Sequence, residues 1–117
     1  MTRILLLVAI ACLFNLAAHA HAFLDRASPP VGSEISGSPA SLSLTYTEPI
    51  EPLFSTVHVT DANGLRVDSG KPIFKDDDRL LEVPLKPLQP GVYSVEWHVT
   101  SVDTHKTEGH FTFTVKP

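Results

Sequence analysis

Apolar and polar residues alternate without a break from position 93 to position 100. The apolar positions hold Tyr93, Val95, Trp97 and Val99, and the polar positions hold Ser94, Glu96, His98 and Thr100. Because successive side chains of an extended chain point to opposite sides, this period of two predicts a β-strand with one buried and one solvent-facing side. The chain shows no long stretch of helical period, so an all-β domain is predicted.

Six other short segments are predicted as strands, separated by turn-forming residues. The full set of predicted strands covers 22–27, 41–47, 57–60, 65–67, 80–85, 93–99 and 110–115. The ten prolines fall mainly near the ends of apolar runs, where a missing backbone N–H removes no ladder hydrogen bond. About seven short strands separated by turns predict a two-sheet antiparallel β-sandwich, of the Ig-like or cupredoxin-like kind.

Residues 1–20 are predicted to be a secretory signal peptide. Arg3 gives a positive start, 4–16 is a nearly continuous apolar run, and 18–20 offers the small-x-small pattern of a cleavage site. The apolar run is shorter than the roughly 20 residues of a membrane-spanning helix. Cleavage after Ala20 predicts a single exported, non-spanning domain, 21–117, in the periplasm. Cuts after Ala18 or Ala22 also fit the pattern, and the second would remove His21.

Loss of residues 1–20 would leave a domain that is acidic and free of sulfur. The formal net charge of the whole chain is −4, and Arg3 is the only charged residue of the first twenty, so the domain would carry −5. A negative domain is not expected to bind nucleic acid. Cys12 and Met1 are the only cysteine and methionine. Disulfides, thiolate sites and thioether copper(I) sites are therefore excluded from the predicted domain, which leaves imidazole, carboxylate and amine ligands.

The predicted cleavage makes His21 the first residue of the exported domain. An N-terminal histidine can chelate one ion through its α-amino nitrogen and its ring Nδ1 together. Asp103 and His105 are two residues apart, so in extended backbone their side chains would emerge on the same side. Three nitrogens and one oxygen suit copper(II) better than magnesium or calcium, which prefer oxygen shells. His21, Asp103 and His105 are therefore the predicted ligands of one Cu(II) ion.

The sequence resembles the CopC family of periplasmic copper-resistance proteins. The matching stretches are His21-Ala-Phe-Leu, Ala27-Ser-Pro-Pro, Leu44-Thr-Tyr-Thr-Glu, Pro90-Gly-Val-Tyr-Ser-Val-Glu-Trp and Ser101-Val-Asp-Thr-His-Lys, and they span essentially all of 21–117. The resemblance implies a Greek-key β-sandwich, copper(II) ligation by His21, Asp103 and His105, and a role in copper homeostasis or resistance. It also implies an acidic residue, Glu48, near the site and a CopD-like inner-membrane partner. Some members add a methionine-rich copper(I) site, which this domain cannot build.

The remaining histidines and the acidic run are assigned separately. His58 and His98 are predicted to face solvent from polar strand faces, and His110 is predicted to lie close enough to the site to orient a ligand. The run 76–78 is read as a solvated loop, since it lacks the glycine and distal glutamate of a calcium loop.

Two other functions stay open for a small exported sandwich of this kind. The first is a copper monooxygenase, which also holds copper with an N-terminal histidine. Asp103 argues against it, because a carboxylate in the copper plane fills the position that oxygen needs. The second is a metal-free interaction module. The prediction is a copper-binding protein that is not an enzyme.

Overall fold

The computed structural model describes residues 22–117, and this part of the chain folds as a two-sheet β-sandwich. Its strands are β1 Leu24–Ser28, β2 Glu34–Ile35, β3 Ser41–Tyr46, β4 Thr56–Thr60, β5 Ile73–Lys75, β6 Leu80–Pro84, β7 Gly91–Thr100 and β8 Lys106–Val115. The helical element described is one 3₁₀ turn at Pro52–Phe54. The all-β sandwich predicted from the alternating pattern is confirmed.

One sheet has the strand order β1-β3-β6-β5 and the other has the order β2-β8-β7-β4. Strands β7 and β8 form a long antiparallel hairpin with ten residue pairs in register, from Gly91–Val115 to Thr100–Lys106. The chain crosses between the sheets after β1, β2, β3, β4 and β6, so neighbours in a sheet are mostly distant in sequence, as in Greek-key sandwiches.

The core lies between the two sheets and follows the alternation of the strands. Residues 42, 44 and 46 of β3 face residues 93, 95, 97 and 99 of β7 across a layer of valine, leucine and aromatic side chains. Tyr46 meets Trp97 edge to face at a centroid distance of 5.4 Å, and Tyr93 stacks on Phe113 at 5.5 Å. Such aromatic pairs add to the stabilisation from buried apolar area.

The structure differs from the predicted strands in several details. Positions 65–67 do return beside β4 as predicted, because the Asp61 N–H donates to the Leu65 carbonyl at 2.9 Å and the Val67 N–H donates to the Val59 carbonyl at 2.8 Å. The pairing is one antiparallel bridge, Arg66 to Thr60, and not a full strand. The two short strands β2 and β5 were not predicted, since two or three residues give too little periodicity. Residues 22–117 therefore contain eight strands, and among these β2 runs parallel to β8 while the other pairs are antiparallel.

The boundaries of the predicted strands also shift. β8 begins at Lys106, four residues before the expected start, because the loop after β7 is a tight turn that returns immediately. β1 covers Leu24–Ser28 instead of 22–27. The predicted signal peptide, 1–20, and the predicted ligand His21 lie outside the described residues. Among residues 22–117 there is no helix of the length and apolarity needed to cross a bilayer.

Candidate metal centre

The loop that carries the predicted Asp103 and His105 is a tight turn joining β7 to β8. The backbone N–H of Ser101 donates to the carbonyl of His105 at 2.9 Å, and the N–H of Thr104 donates to the carbonyl of Ser101 at 2.9 Å. Thr104 has a φ of 74°, in the left-handed region. The two predicted ligands therefore do not sit on extended backbone, as the sequence argument assumed, because the left-handed residue between them reverses the chain.

The turn nevertheless brings these two side chains together. Asp103 Oδ1 lies 3.3 Å from His105 Nδ1, and the side chains are 45% and 48% exposed, so both are open to an incoming ion. Two ligands held at 2.0–2.2 Å from one ion are themselves about 3 Å apart. The pair is thus spaced as two neighbouring ligands of a single transition-metal ion.

Ser101 keeps the Asp103 carboxylate ionised and oriented. Its hydroxyl, which is buried, donates to Asp103 Oδ1 and also contacts the backbone N–H and carbonyl of His105. The hydrogen bond from Ser101, followed by the hydrogen bond and charge of His105, lowers the pKa of Asp103 against a smaller opposing effect of desolvation. An ionised carboxylate is the form that binds metal.

The start of the described chain is tied to the same end of the sandwich. The Thr107 hydroxyl donates to the carbonyl of Ala22 at 2.8 Å, and Ala22 is completely buried. The next residue, Phe23, makes two hydrogen bonds with Thr47. The Phe23 N–H donates to Thr47 Oγ1 at 3.0 Å, and the Phe23 carbonyl accepts from the Thr47 N–H at 2.9 Å. Ala22 is therefore held beside Thr107, which lies two residues after His105 in the sequence.

The segment that contains Glu48 lies beside the loop at 101–105 but adds no third ligand to Asp103 and His105. The Val102 N–H donates to the Pro49 carbonyl at 3.2 Å, and the Glu51 N–H donates to the Thr100 carbonyl at 2.7 Å. Glu48 itself is half-buried. Within residues 22–117, no three histidine or acidic side chains converge on one point that could hold a metal ion. Asp103 and His105 thus stand as a pair in this part of the chain.

The other predicted residue near the site, His110, lies elsewhere. It is exposed on β8 opposite Glu96, four residues beyond Lys106, which corresponds to about 14 Å along a strand. His58 and His98 are exposed on the same sheet face, as predicted. The structure does not bring any of these three histidines to the loop at 101–105.

Two residues at the site were not assigned a role from the sequence. Ser101 positions Asp103, and Thr107 fixes the chain at Ala22. Ser101 stands within the Ser-Val-Asp-x-His block, so that block carries a signal for it. Thr107 has no comparable signal, because its bond spans 85 residues and depends on the tertiary fold.

Comparison with known proteins identifies the family of the chain and agrees with the fold. The model of the CopC domain matches residues 24–116. Protein YobA of Escherichia coli K12 is 38% identical over 100 residues, covering 83% of this chain and 80% of YobA. Copper resistance protein C of Xanthomonas campestris pv. juglandis is 34% identical over 113 residues, covering 91% of this chain and 88% of that protein.

A solved structure gives the same result for the three-dimensional fold. The crystal structure of CopC from Methylosinus trichosporium OB3b superposes with a TM-score of 0.76 at 33% identity, covering 83% of this chain and 95% of that one. The family model spans nearly all of the described residues, and the relatives match over most of their own length. The chain belongs to the CopC family.

Proposed function

We propose that this protein binds one copper(II) ion outside the cytoplasmic membrane, without catalysing a reaction, and that it holds the ion for copper resistance or for delivery. The ligands are the α-amine and ring Nδ1 of His21, freed by cleavage after Ala20, together with Asp103 and His105. This set gives three nitrogens and one oxygen, which suits the tetragonal preference of copper(II).

One observation carries the proposal. The loop that pairs Asp103 with His105 at 3.3 Å is followed two residues later by Thr107, whose hydroxyl binds the Ala22 carbonyl. His21 is the residue directly before Ala22 in the sequence. One peptide bond therefore joins His21 to a residue whose carbonyl is hydrogen-bonded to Thr107, two residues after the proposed ligand His105 in the sequence.

The position of Asp103 supports binding over oxygen chemistry. Ser101 and His105 lower the pKa of Asp103, so the carboxylate is charged at neutral pH and stabilises the divalent ion. A carboxylate in the copper plane also occupies a position that an oxygen ligand would require. Copper-loaded protein incubated with ascorbate should therefore not sustain hydrogen peroxide production, and sustained turnover would favour the monooxygenase alternative.

Apolar side chains beside the loop support transfer to a membrane-embedded, CopD-like partner. Leu53 is 90% exposed and Phe54 is 68% exposed on the 3₁₀ turn, while Val102 is exposed within the loop itself. The turn is held against β7, because the Thr100 hydroxyl donates to the Phe54 carbonyl at 3.2 Å. These exposed apolar side chains lie on the 3₁₀ turn that contains Phe54 and on the loop that follows Thr100, and exposed apolar side chains are suited to contact with another protein.

Copper binding by the processed protein tests the proposal. Native mass spectrometry and electron paramagnetic resonance should show one tightly bound copper(II) ion in the protein that begins at His21. The substitutions D103N and H105A should each weaken this binding by at least about tenfold, as expected when a metal ligand is removed. The exposed loop variant D77N is the matched control and should bind like the parent.

The mature N-terminus provides a second, independent test. A protein that begins one alanine before His21 keeps every side chain but lacks the free amine on that residue, so its copper(II) spectrum should change and its affinity should fall. Equal affinity in the extended protein, or in H105A, would contradict the proposed ligand set.

A further inference from the structure

A second group of potential ligands lies on the outer face of the β4-β7-β8 sheet. Three histidines and two glutamates from three strands line one open groove there, namely His58, Glu96, His98, Glu108 and His110. All five side chains are exposed. The group is distinct from the loop at 101–105 and shares no residue with the proposed copper(II) site.

Strand register places these side chains next to one another. His58 on β4 is directly opposite Glu96 on β7, and Glu96 is directly opposite His110 on β8. Glu108 is likewise opposite His98. Side chains directly opposite each other in antiparallel strands have Cβ atoms about 4.5–5.5 Å apart. The three-residue row of histidine, glutamate and histidine is therefore continuous across the sheet.

The ring of His98 has a carboxylate at each of its nitrogens. Its Nδ1 lies 3.0 Å from Glu108 Oε2, and its Nε2 lies 3.1 Å from Glu96 Oε1. A neutral imidazole has only one N–H, so it can donate to one of these carboxylates but not to both. The other nitrogen then faces a carboxylate oxygen with no hydrogen between them, and a metal ion bound to both atoms would turn this repulsive contact into a favourable one.

The geometry fits a metal ion at the Nε2 side. A separation of 3.1 Å matches that of two ligands held at 2.0–2.2 Å from one ion. Donation of Nδ1–H to Glu108 would fix the tautomer that leaves the Nε2 lone pair free to bind. A carboxylate that holds the remote nitrogen of a metal-binding histidine is a recurring feature of metal sites.

His58 and His110 can supply the remaining ligands. They flank Glu96 on both sides, and both are exposed, so their rings can turn toward an ion at Glu96 without disturbing the core. Among residues 22–117 no three histidine or acidic side chains converge on one point, so an ion at Glu96 requires His58 and His110 to take up other rotamers. Closing the site therefore requires only rotation of surface side chains about their own bonds.

We propose that this sheet face is a second metal site, in which His98 Nε2, Glu96, His58 and His110 bind one divalent transition-metal ion and Glu108 orients His98. Three imidazoles and one carboxylate select an ion of the copper(II) or zinc(II) class over magnesium or calcium. The site is solvent-exposed and its outer ligands are not preorganised, so it fills after the copper(II) site at His21 and holds its ion less tightly.

Metal titration of the processed protein tests this site separately from the first. With copper(II) or zinc(II) in excess, native mass spectrometry should show two bound ions in the parent and one in H98Q. The H105A variant should still bind an ion at the sheet face. T112A, an exposed substitution on β8 two residues after His110, is the matched control and should keep both ions.

Single substitutions identify the ligands. H58Q, H110Q and E96Q should each weaken the second ion by at least about tenfold, with a smaller loss for E108Q. Zinc(II) should also shift the imidazole nitrogen resonances of His58, His98 and His110 in nuclear magnetic resonance spectra of the H105A protein. Circular dichroism confirms that each variant is folded.

Three results would overturn the inference. A parent that takes up only one ion would show that the sheet face binds no metal ion. Retention of the second ion in the triple variant H58Q/H98Q/H110Q would place it elsewhere. Imidazole resonances that do not shift when zinc(II) is added would also show that the ion does not bind to these histidines. None of these results bears on copper binding by His21, Asp103 and His105, which D103N and H105A test on their own.

Discussion

At the scale of the residue, Asp68 shows how one carboxylate stabilises an irregular segment of the chain. Its Oδ1 accepts hydrogen bonds from the Val59 backbone N–H at 3.0 Å and from Arg66 Nε at 2.7 Å, and its Oδ2 lies 2.5 Å from Arg66 Nη2. The Asp68 side chain is only 7% exposed. These bonds hold 65–68 against β4 where ladder pairing is limited to the single bridge between Thr60 and Arg66.

The stability of the protein should therefore depend on the ionisation of Asp68. Burial raises the pKa of this carboxyl, but the hydrogen bonds from Arg66 and Val59 outweigh burial and lower the pKa overall. A group whose pKa is lower in the folded chain stabilises it above the unfolded value near 4, and the contribution disappears as the pH falls through the folded value. D68N should reduce the free energy of unfolding by about 1–3 kcal/mol at pH 7, and by little at acid pH.

Urea unfolding of the parent and D68N between pH 2 and pH 7 measures this difference. D77N, an exposed aspartate in a loop, is the matched control and should track the parent at every pH. A D68N deficit that stays constant down to pH 2 would contradict an electrostatic role for Asp68.

At the scale of the element, the β7-β8 hairpin is the part of the structure that connects core and site. Its inner face supplies Trp97 and Phe113 to the core, and its turn supplies Asp103 and His105. Its outer face supplies four of the five residues of the proposed second metal site, namely Glu96, His98, Glu108 and His110. Trp97 lies opposite Gly109 in the register. The indole lies across that glycine, since a Cβ built there would be 2.5 Å from the Trp97 ring.

The substitution G109A should destabilise the hairpin and the fold together. A rigid indole ring packed in the core cannot move away as a flexible side chain can, so the added methyl group forces a shift of the strands costing about 1–3 kcal/mol. Trp97 is the only tryptophan, so its fluorescence during urea unfolding reports this change directly. S94A, an exposed substitution on β7, should leave the transition unchanged, and a G109A midpoint equal to the parent's would show that the glycine is not required.

At the scale of the whole molecule, the sandwich brings together Ala22 and Thr107, which are 85 residues apart in the sequence. Ala22 accepts a hydrogen bond from Thr107 and is buried in the core, and Thr107 follows the loop at 101–105 that joins β7 to β8. A ligand that binds only the folded state stabilises that state by mass action. An ion bound by both His21 and the loop at 101–105 would therefore link the segment before β1 to the β7-β8 hairpin.

Copper(II) should accordingly raise the stability of the processed protein. At free copper 100-fold above the dissociation constant, the expected gain in the free energy of unfolding is about 2.7 kcal/mol. Thermal unfolding measures the gain, and hydrogen exchange should show it as protection of the β1 amides. A protein extended by alanine before His21 should show a much smaller gain under the same conditions, and an equal gain would disprove the link.

The sequence alone determined the features that depend on neighbouring residues. The alternation at 93–100 specifies which side of β7 is buried, and the pattern of short strands specifies a two-sheet sandwich, because the side-chain period of two is a local property of extended backbone. It also indicated Asp103 and His105 as a pair, although through the wrong backbone conformation. The left-handed Thr104 that joins them has no reliable signal in a single sequence.

Only the tertiary structure decided which distant residues meet. The bond from Thr107 to Ala22 and the row of His58, Glu96 and His110 depend on how strands far apart in the chain are placed in register. That register is set by the length of the β7-β8 turn and by the fit of the whole core, to which every strand contributes. Separate strand patterns carry no such information. The sequence predicts only that single histidines face solvent, and the folded sheet places them beside one another.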